Sequence, residues 1–531
     1  MEHRISFKHH PQSAILALLA LALLSFLPSH AQAQGTTLKT SGTWNNANNW
    51  TNGVPGYTTT AFVDGNLTVS AAPGVTGTAF CLFVGESGTG SLNINGGSLL
   101  IDHSILGDQA GSLGAATVTS GTWTSAAELV IGGTGSGTLT VQGGTVTSPL
   151  TVIGAFAGSS GTATVSGGSW TNIVELDVGG YGTGTLNLSV SGGVSLNNGP
   201  GRLTVAQHAG STGTLNLGTG GTAGTLNATA VIGGEGASTV NFNHTGTYTF
   251  DAGIQGIQTI NKLGAGTTVL TDANSSADLT NVIEGELDVN GTLLSTVRVG
   301  NGAALRGSGT TGIVSLVGGP IGSTFGSPVL GIVGGTLHAD TITGHGTVTP
   351  GDNGAGILTT RQLHGGGGLF FDLELHQAAP DYGNAADSKN GLVHVTDGID
   401  SLSSLDRISL FFDNATPGST YLGGLFVDNL SAALLGDAVN NASFLYYVLD
   451  TDGTATTPGD IYYDGNYYAS LDAWLVRVSA IDLTNVLFET GNVATGSETT
   501  FTIVPEPGTW AMLALGTGLL AFRKRLRRQR A

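Results

Sequence analysis

Apolar and small polar side chains alternate along residues 82–236 in short runs of four to six residues. An apolar residue at every second position is typical of a strand with one buried face, whereas a helix repeats its apolar positions every three to four residues. Glycine bounds each run, and two runs follow one another in each unit, as in residues 129–132 and 137–144. The pattern therefore predicts units of two strands joined by glycine turns.

The glycines that open the second run of each unit recur at a nearly fixed interval. They are Gly90, Gly114, Gly137, Gly161 and Gly184, spaced 24, 23, 24 and 23 residues apart. A unit of about 24 residues cannot bury its own apolar row, so units must stack with paired backbones roughly 4.8 Å apart. The sequence thus predicts an all-β parallel β-helix or β-solenoid. Its expected internal ladders contain Leu92, Ile94, Leu139, Val141, Ala163 and Val165, with Asn93, Thr140 and Thr164 facing water.

Composition and charge narrow the class further. Glycine supplies 87 of 531 residues, about twice its usual share, and hydrophobic residues make up 40%. This length allows two or three domains, and the period of two favours a folded repeat over a disordered chain. Outside the basic leader and tail only nine Lys and Arg face 35 Asp and Glu, so nucleic acid and anionic membranes are not expected partners. The lone Cys81 excludes an intramolecular disulfide and is expected to act as a small apolar residue.

Residues 1–33 have the parts of a secretory signal peptide, with a buried helix as the alternative. Arg4 and Lys8 precede an apolar run at residues 14–27, and Ala31 and Ala33 form a small-residue cleavage site. We therefore expect export through the Sec translocon and a mature chain that begins after Ala33.

Residues 34–80 are expected to form an N-terminal cap and the first coils. Trp44, Trp50 and a Pro55-Gly56 turn precede the first regular unit, where an open sheet edge would otherwise be exposed. An aromatic platform that binds sugar through Trp44 and Trp50 is the alternative interpretation.

Residues 81–365 are expected to form the solenoid, and the residue pattern changes after Ile260. Residues 262–274 fit K-x-G-x-G-T-x-x-L-T-x-x-N, and residues 285–291 fit G-x-L-x-V-N-G. These two halves resemble the autotransporter-associated β-strand repeat over about residues 255–360. The resemblance implies a β-helical passenger built for display outside the cell, although only about one full copy is present.

Residues 366–503 contain less glycine and more aromatic and acidic residues, which predicts a C-terminal β-rich domain of strands packed face to face. Within it, Asp450-x-Asp452-Gly453 is similar to the start of a calcium loop, and Asp460 and Asp464 follow. Other EF-hand ligands are missing, so an acidic turn is the main interpretation and weak Ca²⁺ binding the alternative.

Residues 504–531 combine a short motif, an apolar segment and a basic tail. Residues 508–522 are fewer than the roughly 20 of a comfortable membrane helix. The motif is Val504-Pro505-Glu506-Pro507, and the basic residues are Arg523, Lys524, Arg525, Arg527, Arg528 and Arg530. The charges place the tail in the cytoplasm and the body outside.

This arrangement resembles the PEP-CTERM sorting signal, with a plain single-pass anchor as the alternative. The resemblance implies a short transmembrane sorting helix that holds the chain transiently in the inner membrane. It also implies processing there by an exosortase, and sorting to the cell surface or exopolysaccharide matrix of a Gram-negative bacterium.

Two acidic residues are candidates for catalysis on an outer face. Glu128 and Glu175 each lie four residues before a strand-ending glycine, which places them in one register two coils apart, roughly 9.6 Å. That distance is near the upper end of the separation in inverting glycosidases. Leu150 lies between them and no Arg, Lys or His is evident nearby, so solvated charges that limit edge pairing explain the pair equally well.

The remaining candidate residues do not indicate a catalytic, metal-binding or sugar-binding site. Trp123 and Trp170 share a register with Leu99 and Val146, which favours an internal ladder over an exposed sugar-stacking stripe. The histidines, among them His338, His345 and His364, lack metal-ligand spacing, and no nucleotide or hydrolase motif stands in a supporting context. The sequence predicts no catalytic residue, metal or cofactor.

Together these patterns favour a secreted, non-enzymatic surface or matrix protein with a structural or adhesive role, associated with exopolysaccharide or biofilm. The alternative is a β-helical protein that binds or degrades polysaccharide.

Overall fold

The computed structural model describes residues 35–196, 201–317, 329–332, 335–350, 356–364, 369–375, 391–396, 405–412, 420–422, 424–427 and 500–502. The signal peptide with Ala31 and Ala33, the aspartates from Asp450 to Asp464 and the sorting signal from Val504 onward lie outside these residues. Within them the backbone forms strands and one short 3-10 helix, Ala47–Asn49.

The strands of the N-terminal part are β1 (Gly35–Thr37), β2 (Gly42–Thr43), β3 (Thr60–Val63), β4 (Leu67–Ala71), β5 (Thr76–Val84), β6 (Thr89–Leu106), β7 (Leu113–Ile131), β8 (Ser136–Val141), β9 (Thr145–Ile153), β10 (Ser160–Val165), β11 (Ser169–Val178), β12 (Thr183–Leu188), β13 (Gly193–Leu196), β14 (Arg202–Val205), β15 (Thr212–Leu217), β16 (Thr225–Asn227), β17 (Ala230–Gly233) and β18 (Ala237–Phe242).

The strands that follow are β19 (Thr247–Phe250), β20 (Gly253–Gln255), β21 (Ile257–Lys262), β22 (Thr267–Leu270), β23 (Ser275–Val282), β24 (Glu286–Val289), β25 (Thr292–Gly300), β26 (Ala304–Arg306), β27 (Thr310–Val317), β28 (Val329–Ile332), β29 (Gly335–Pro350), β30 (Gly356–His364), β31 (Leu369–Leu375), β32 (Gly391–Val395), β33 (Leu405–Phe412), β34 (Thr420–Leu422), β35 (Gly424–Val427) and β36 (Thr500–Thr502).

Each strand pairs in parallel with its counterparts in the preceding and following coils. In β10, Ala163 pairs with Leu139 on one side and with Leu186 on the other, without any register shift. Leu92 joins the same column through Ala116. The chain is therefore a parallel β-solenoid of about 13 turns, which confirms the predicted fold class and would give a rod about 60 Å long.

The interior consists of apolar columns that run along the solenoid axis. The predicted internal residues are fully buried or nearly so, and Trp123 and Trp170 occupy one inner column with Val146 between them. Burying a large aliphatic side chain contributes about 1.5–3 kcal/mol, and here the contact comes from the coils above and below. The internal position of both tryptophans agrees with the ladder interpretation.

Each coil has three strand segments, one more than the residue pattern predicts. In β9 and β11 the chain bends after Ser148 and Asn172, and the pairing register shifts between Asn172 and Glu175. The inside of this corner is polar: Asn172 Nδ2 donates to Thr151 Oγ1 (2.9 Å), and Ser148 and Thr151 hydroxyls share a hydrogen bond (2.7 Å). This corner has no glycine, and its polar residues interrupt the apolar alternation. The residue pattern therefore does not reveal the boundary between the second and third segments.

Two tryptophans fill the N-terminal end of the interior. Trp44 is fully buried and Trp50 is 1% exposed, with their rings edge to face at 5.3 Å. The Trp50 indole N–H donates to the Trp44 carbonyl (2.8 Å). Neither ring offers a face to solvent, which argues against the sugar-platform alternative, and capping by these residues stays a prediction.

The coil becomes shorter where the autotransporter-like pattern begins. Along one inner column the step falls from 23 residues, between Val165 and Leu188, to 17 residues, between Val282 and Val299. Lys262 also occupies this column and is fully buried. Its Nζ donates to the carbonyls of Gly264 and Glu284, which explains a lysine at the start of the motif.

Parallel pairing continues beyond the expected boundary at residue 365. Strand β31 pairs with β29 and β33, and β32 pairs with β30 and β35. These strands extend the coil stack instead of packing face to face as the sequence analysis expects. Among the strands that the structure describes after residue 420, β34 and β36 form an antiparallel pair.

The recurring opening glycines have a steric cause. The backbone of each coil crosses that of the preceding coil so closely at these positions that a Cβ on Gly161 would overlap the carbonyl oxygen of Ile131. Gly114, Gly137 and Gly184 lie against backbone atoms in the same way.

We predict that Gly161→Ala lowers the free energy of unfolding by about 1–3 kcal/mol or more, because the added methyl group must displace backbone. Gly221→Ala is the matched control, since a Cβ there meets nothing within 4 Å, and we expect a change within about 0.5 kcal/mol. Denaturant unfolding followed by circular dichroism measures both. Equal stability of the two variants would contradict the steric explanation.

Candidate functional site

The acidic candidates lie on the outward side of the third segment in two coils, one with Glu128 and one with Glu175. Glu128 pairs with Leu150, and Leu150 pairs with Glu175. The two glutamates therefore occupy one register two coils apart, as predicted. The side chain of Leu150 lies between them.

A histidine completes this column, which the sequence analysis missed. His103 pairs in register with Glu128, and its Nδ1–H donates to Glu128 Oε1 (3.1 Å). This hydrogen bond raises the pKa of His103, with burial acting in the opposite direction. The sequence contains the signal for this register, because His103 lies four residues before Gly107, just as Glu128 lies four residues before Gly132.

A second acid is buried beside Glu175. Asp177 is 3% exposed and accepts a hydrogen bond from the Thr204 hydroxyl, but its Oδ1 has no partner. Burial, reinforced by the charge of Glu175, raises the pKa of Asp177 well above its ordinary value. Burial also raises the pKa of Glu175. This pair thus favours retaining protons where exposed carboxyl groups would lose them.

A second apolar cluster lies beside these charged residues, since Cys81 pairs in register with His103. Cys81, Ile105 and Val130 make a cluster outside the main core, with Phe80, Phe83 and Ala155 packed against it. Burial raises the pKa of the Cys81 thiol to about 12, and nearby Glu128 and Asp108 act in the same direction. Cys81 is therefore a buried neutral thiol, in agreement with its expected apolar role.

A row of acids lies at the turn that follows the third segment. Asp64 Oδ1 accepts from the Gly88 N–H (3.2 Å), while Glu86 and Asp108 follow in the next two coils. Burial raises the pKa of Glu86, and the charges of Asp64 and Asp108 raise it further. Burial alone raises the pKa of Asp108. The first coils therefore present closely spaced like charges without a basic partner among their hydrogen-bonded neighbours.

The other candidates do not join the column of Glu128 and Glu175. Within the described ranges no group of three or more His, Cys, Asp or Glu could hold a metal ion. His338 and His345 lie on β29 and pair with Thr310 and Val317, away from the acidic column. Among the residues that the structure covers, no helix is both long enough and apolar enough to span a membrane.

The geometry defines an elongated β-solenoid with a largely apolar interior, and Glu128, Glu175 and Asp177 lie on its third segments. Residues 504–528 of the chain match the PEP-CTERM protein-sorting motif. This match confirms the sorting signal predicted from the Pro-Glu-Pro motif and the basic tail, and it implies export with a C-terminal membrane anchor and a surface location.

A 96-residue stretch, 17% of this chain, is 42% identical to the adhesin BmaC autotransporter of Brucella suis biovar 1 (strain 1330). The chain spans about 3% of the length of that adhesin. No solved structure matches the chain significantly. The similarity and the fold together confirm the passenger-like interpretation of the solenoid.

We predict that Asp177→Asn stabilises the protein at neutral pH. Because the pKa of Asp177 is higher in the folded than in the unfolded chain, its contribution to stability is greatest below about pH 4 and is lost as the pH rises toward the folded-state pKa. Asparagine keeps the neutral form at every pH. The gain should approach roughly 1–3 kcal/mol at pH 7 and shrink toward pH 4.

Thermal unfolding of both proteins at pH 4 and pH 7 measures this difference. The exposed Asp251→Asn is the control and should change stability by no more than about 0.5 kcal/mol at either pH. A loss of stability in Asp177→Asn at pH 7 would contradict a net cost of burying this carboxylate.

Proposed function

We propose that this chain is an exported structural or adhesive protein, sorted by an exosortase and retained at the cell surface or in an exopolysaccharide matrix. The observation that carries the proposal is the sorting motif at residues 504–528, attached to a chain whose described body is a stack of coils. A rod of this kind gives reach and a long repetitive surface without requiring a pocket.

The two termini provide the signals for export and sorting. The Sec translocon would export the chain, with cleavage after Ala33, and the apolar residues 508–522 would hold it briefly in the inner membrane. The exosortase would then recognise Val504 to Pro507 while the basic tail stays in the cytoplasm. Removal of the tail frees the body for the cell surface.

The body supports a non-catalytic role. Inverting glycosidases need room for a water and a sugar ring between their two carboxyl groups. In this chain Leu150 lies in register between Glu128 and Glu175 and fills part of that space. The 42% identity over 96 residues is to a protein named as an adhesin, which also favours attachment over catalysis.

Deletion of the exosortase in the host should retain the protein in the inner-membrane fraction with its basic tail intact. In the parent strain the body should appear in the surface or matrix fraction without the tail, because cleavage near the motif releases it. Fractionation followed by mass spectrometry of the C-terminal peptide distinguishes the two states.

A chain with Pro505→Ala and Pro507→Ala in the parent strain serves as the matched control and should behave like the exosortase deletion. Identical fractions and an intact tail in all three strains would contradict exosortase sorting. Release of reducing sugar from the host's exopolysaccharide by the purified protein, abolished by Glu128→Gln, would contradict the non-catalytic role.

A further inference from the structure

One outer face of the central coils has no charged residue. The first segment of each central coil is formed by β8, β10, β12, β15 and β18, and these strands contain no Asp, Glu, Lys, Arg or His. We call their outward side chains the amide face. The second segments of these coils, such as residues 145–148 and 169–172, are uncharged as well. The amide face therefore differs from them by its outward asparagines in successive coils and not by its lack of charge.

The amide face is a regular array of hydroxyl and amide groups. Its side chains form columns in which each residue pairs with the equivalent residue of the next coil. The first column contains Thr138, Thr162, Thr185, Thr214 and Thr239. The second column contains Thr140, Thr164, Asn187, Asn216 and Asn241. Successive residues of one column are roughly 4.8 Å apart, and the two columns are roughly 6.6 Å apart along each strand.

Hydrogen bonds between coils fix the orientation of the second column. Asn187 Nδ2 donates to Thr164 Oγ1 (3.1 Å), Asn216 Nδ2 to Asn187 Oδ1 (2.7 Å), and Asn241 Nδ2 to Asn216 Oδ1 (2.8 Å). The chain of amides continues through Asn261 and Asn281 (2.9 Å each). All these amides therefore point the same way along the rod.

This arrangement leaves hydrogen-bonding capacity for a partner. A side-chain amide has two N–H donors and two acceptor lone pairs, and the column uses one of each at Asn187 and Asn216. The asparagines are only partly buried. Because their orientation is already fixed, a ligand need not immobilise them, which favours binding.

The chemistry of the face selects the class of partner. Phosphate, sulfate and uronate groups find no cation here, and the acidic body repels polyanions. A protein interface usually has an apolar or aromatic core, and these columns contain none. An uncharged polysaccharide offers hydroxyl groups that both donate and accept at regular intervals, and many weak contacts along one rod add up by multivalency.

We propose that the amide face binds an uncharged polysaccharide. This inference rests on the proposed function only in that an exported rod meets such polymers at the cell surface. Binding by the purified protein can be measured without the sorting machinery, so either proposal can fail while the other holds.

The test is retention of the purified full-length protein on microcrystalline cellulose, with calcium alginate beads as the anionic comparison. Thr162→Lys with Thr185→Lys places two ammonium groups on the amide face, and retention on cellulose should fall at least tenfold. Thr147→Lys with Thr171→Lys is the matched control, because these threonines are outward, partly buried and paired in register on the second segment. Its retention should stay within twofold of the unaltered protein.

Circular dichroism establishes that the variants fold. If the lysine pair on the amide face does not, Thr162→Val with Thr185→Val removes the hydroxyls at nearly constant shape and should still reduce retention severalfold.

Four results would overturn the proposal: no retention of the unaltered protein on cellulose, equal retention on alginate, equal loss from both faces, or unchanged retention in the amide-face variants. Inhibition of ice-crystal growth without cellulose retention would assign the array to ice instead and would also overturn it.

Discussion

Each coil of this protein can satisfy its backbone and bury its apolar row only through the coils on either side. Parallel segments pair in register, so hydrogen bonding and apolar contact are established together. The approach is so close at positions such as Gly161 that no side chain fits. Glycine spacing, the internal columns and the separate outer faces all follow from this one constraint.

The sequence predicts the features that apolar alternation and glycine spacing mark, and it misses those that these two signals do not mark. Alternation and glycine spacing give the parallel solenoid and place Leu92, Leu139 and Leu186 in one column. The third segment is missed because the corner at Ser148 and Thr151 is polar and lacks glycine. Lys262 is buried because its ammonium group finds two carbonyl acceptors, which composition cannot reveal.

The candidate site shows the same division. The register of Glu128 and Glu175 follows from their distance to a strand-ending glycine, and the same rule applied to His103 would have found its hydrogen bond. The burial of Asp177 could not be predicted, because an outward position normally faces water and here the side chain is only 3% exposed. The resulting molecule carries acids at several places along the rod and leaves the first segments of its central coils uncharged. Such a separation suits a protein that must stay soluble while it holds a neutral polymer.

The stacking of coils in register is tested most directly by disulfide crosslinking on the solenoid surface, in a Cys81→Ser background. Cysteines at Thr138 and Thr162 occupy adjacent coils and paired positions, so their Cα atoms should be roughly 4.8 Å apart, within the range of a disulfide. The account predicts efficient oxidation of this pair and none for cysteines at Thr138 and Thr185, two coils apart. Efficient crosslinking of the second pair, or none of the first, would contradict the in-register stack.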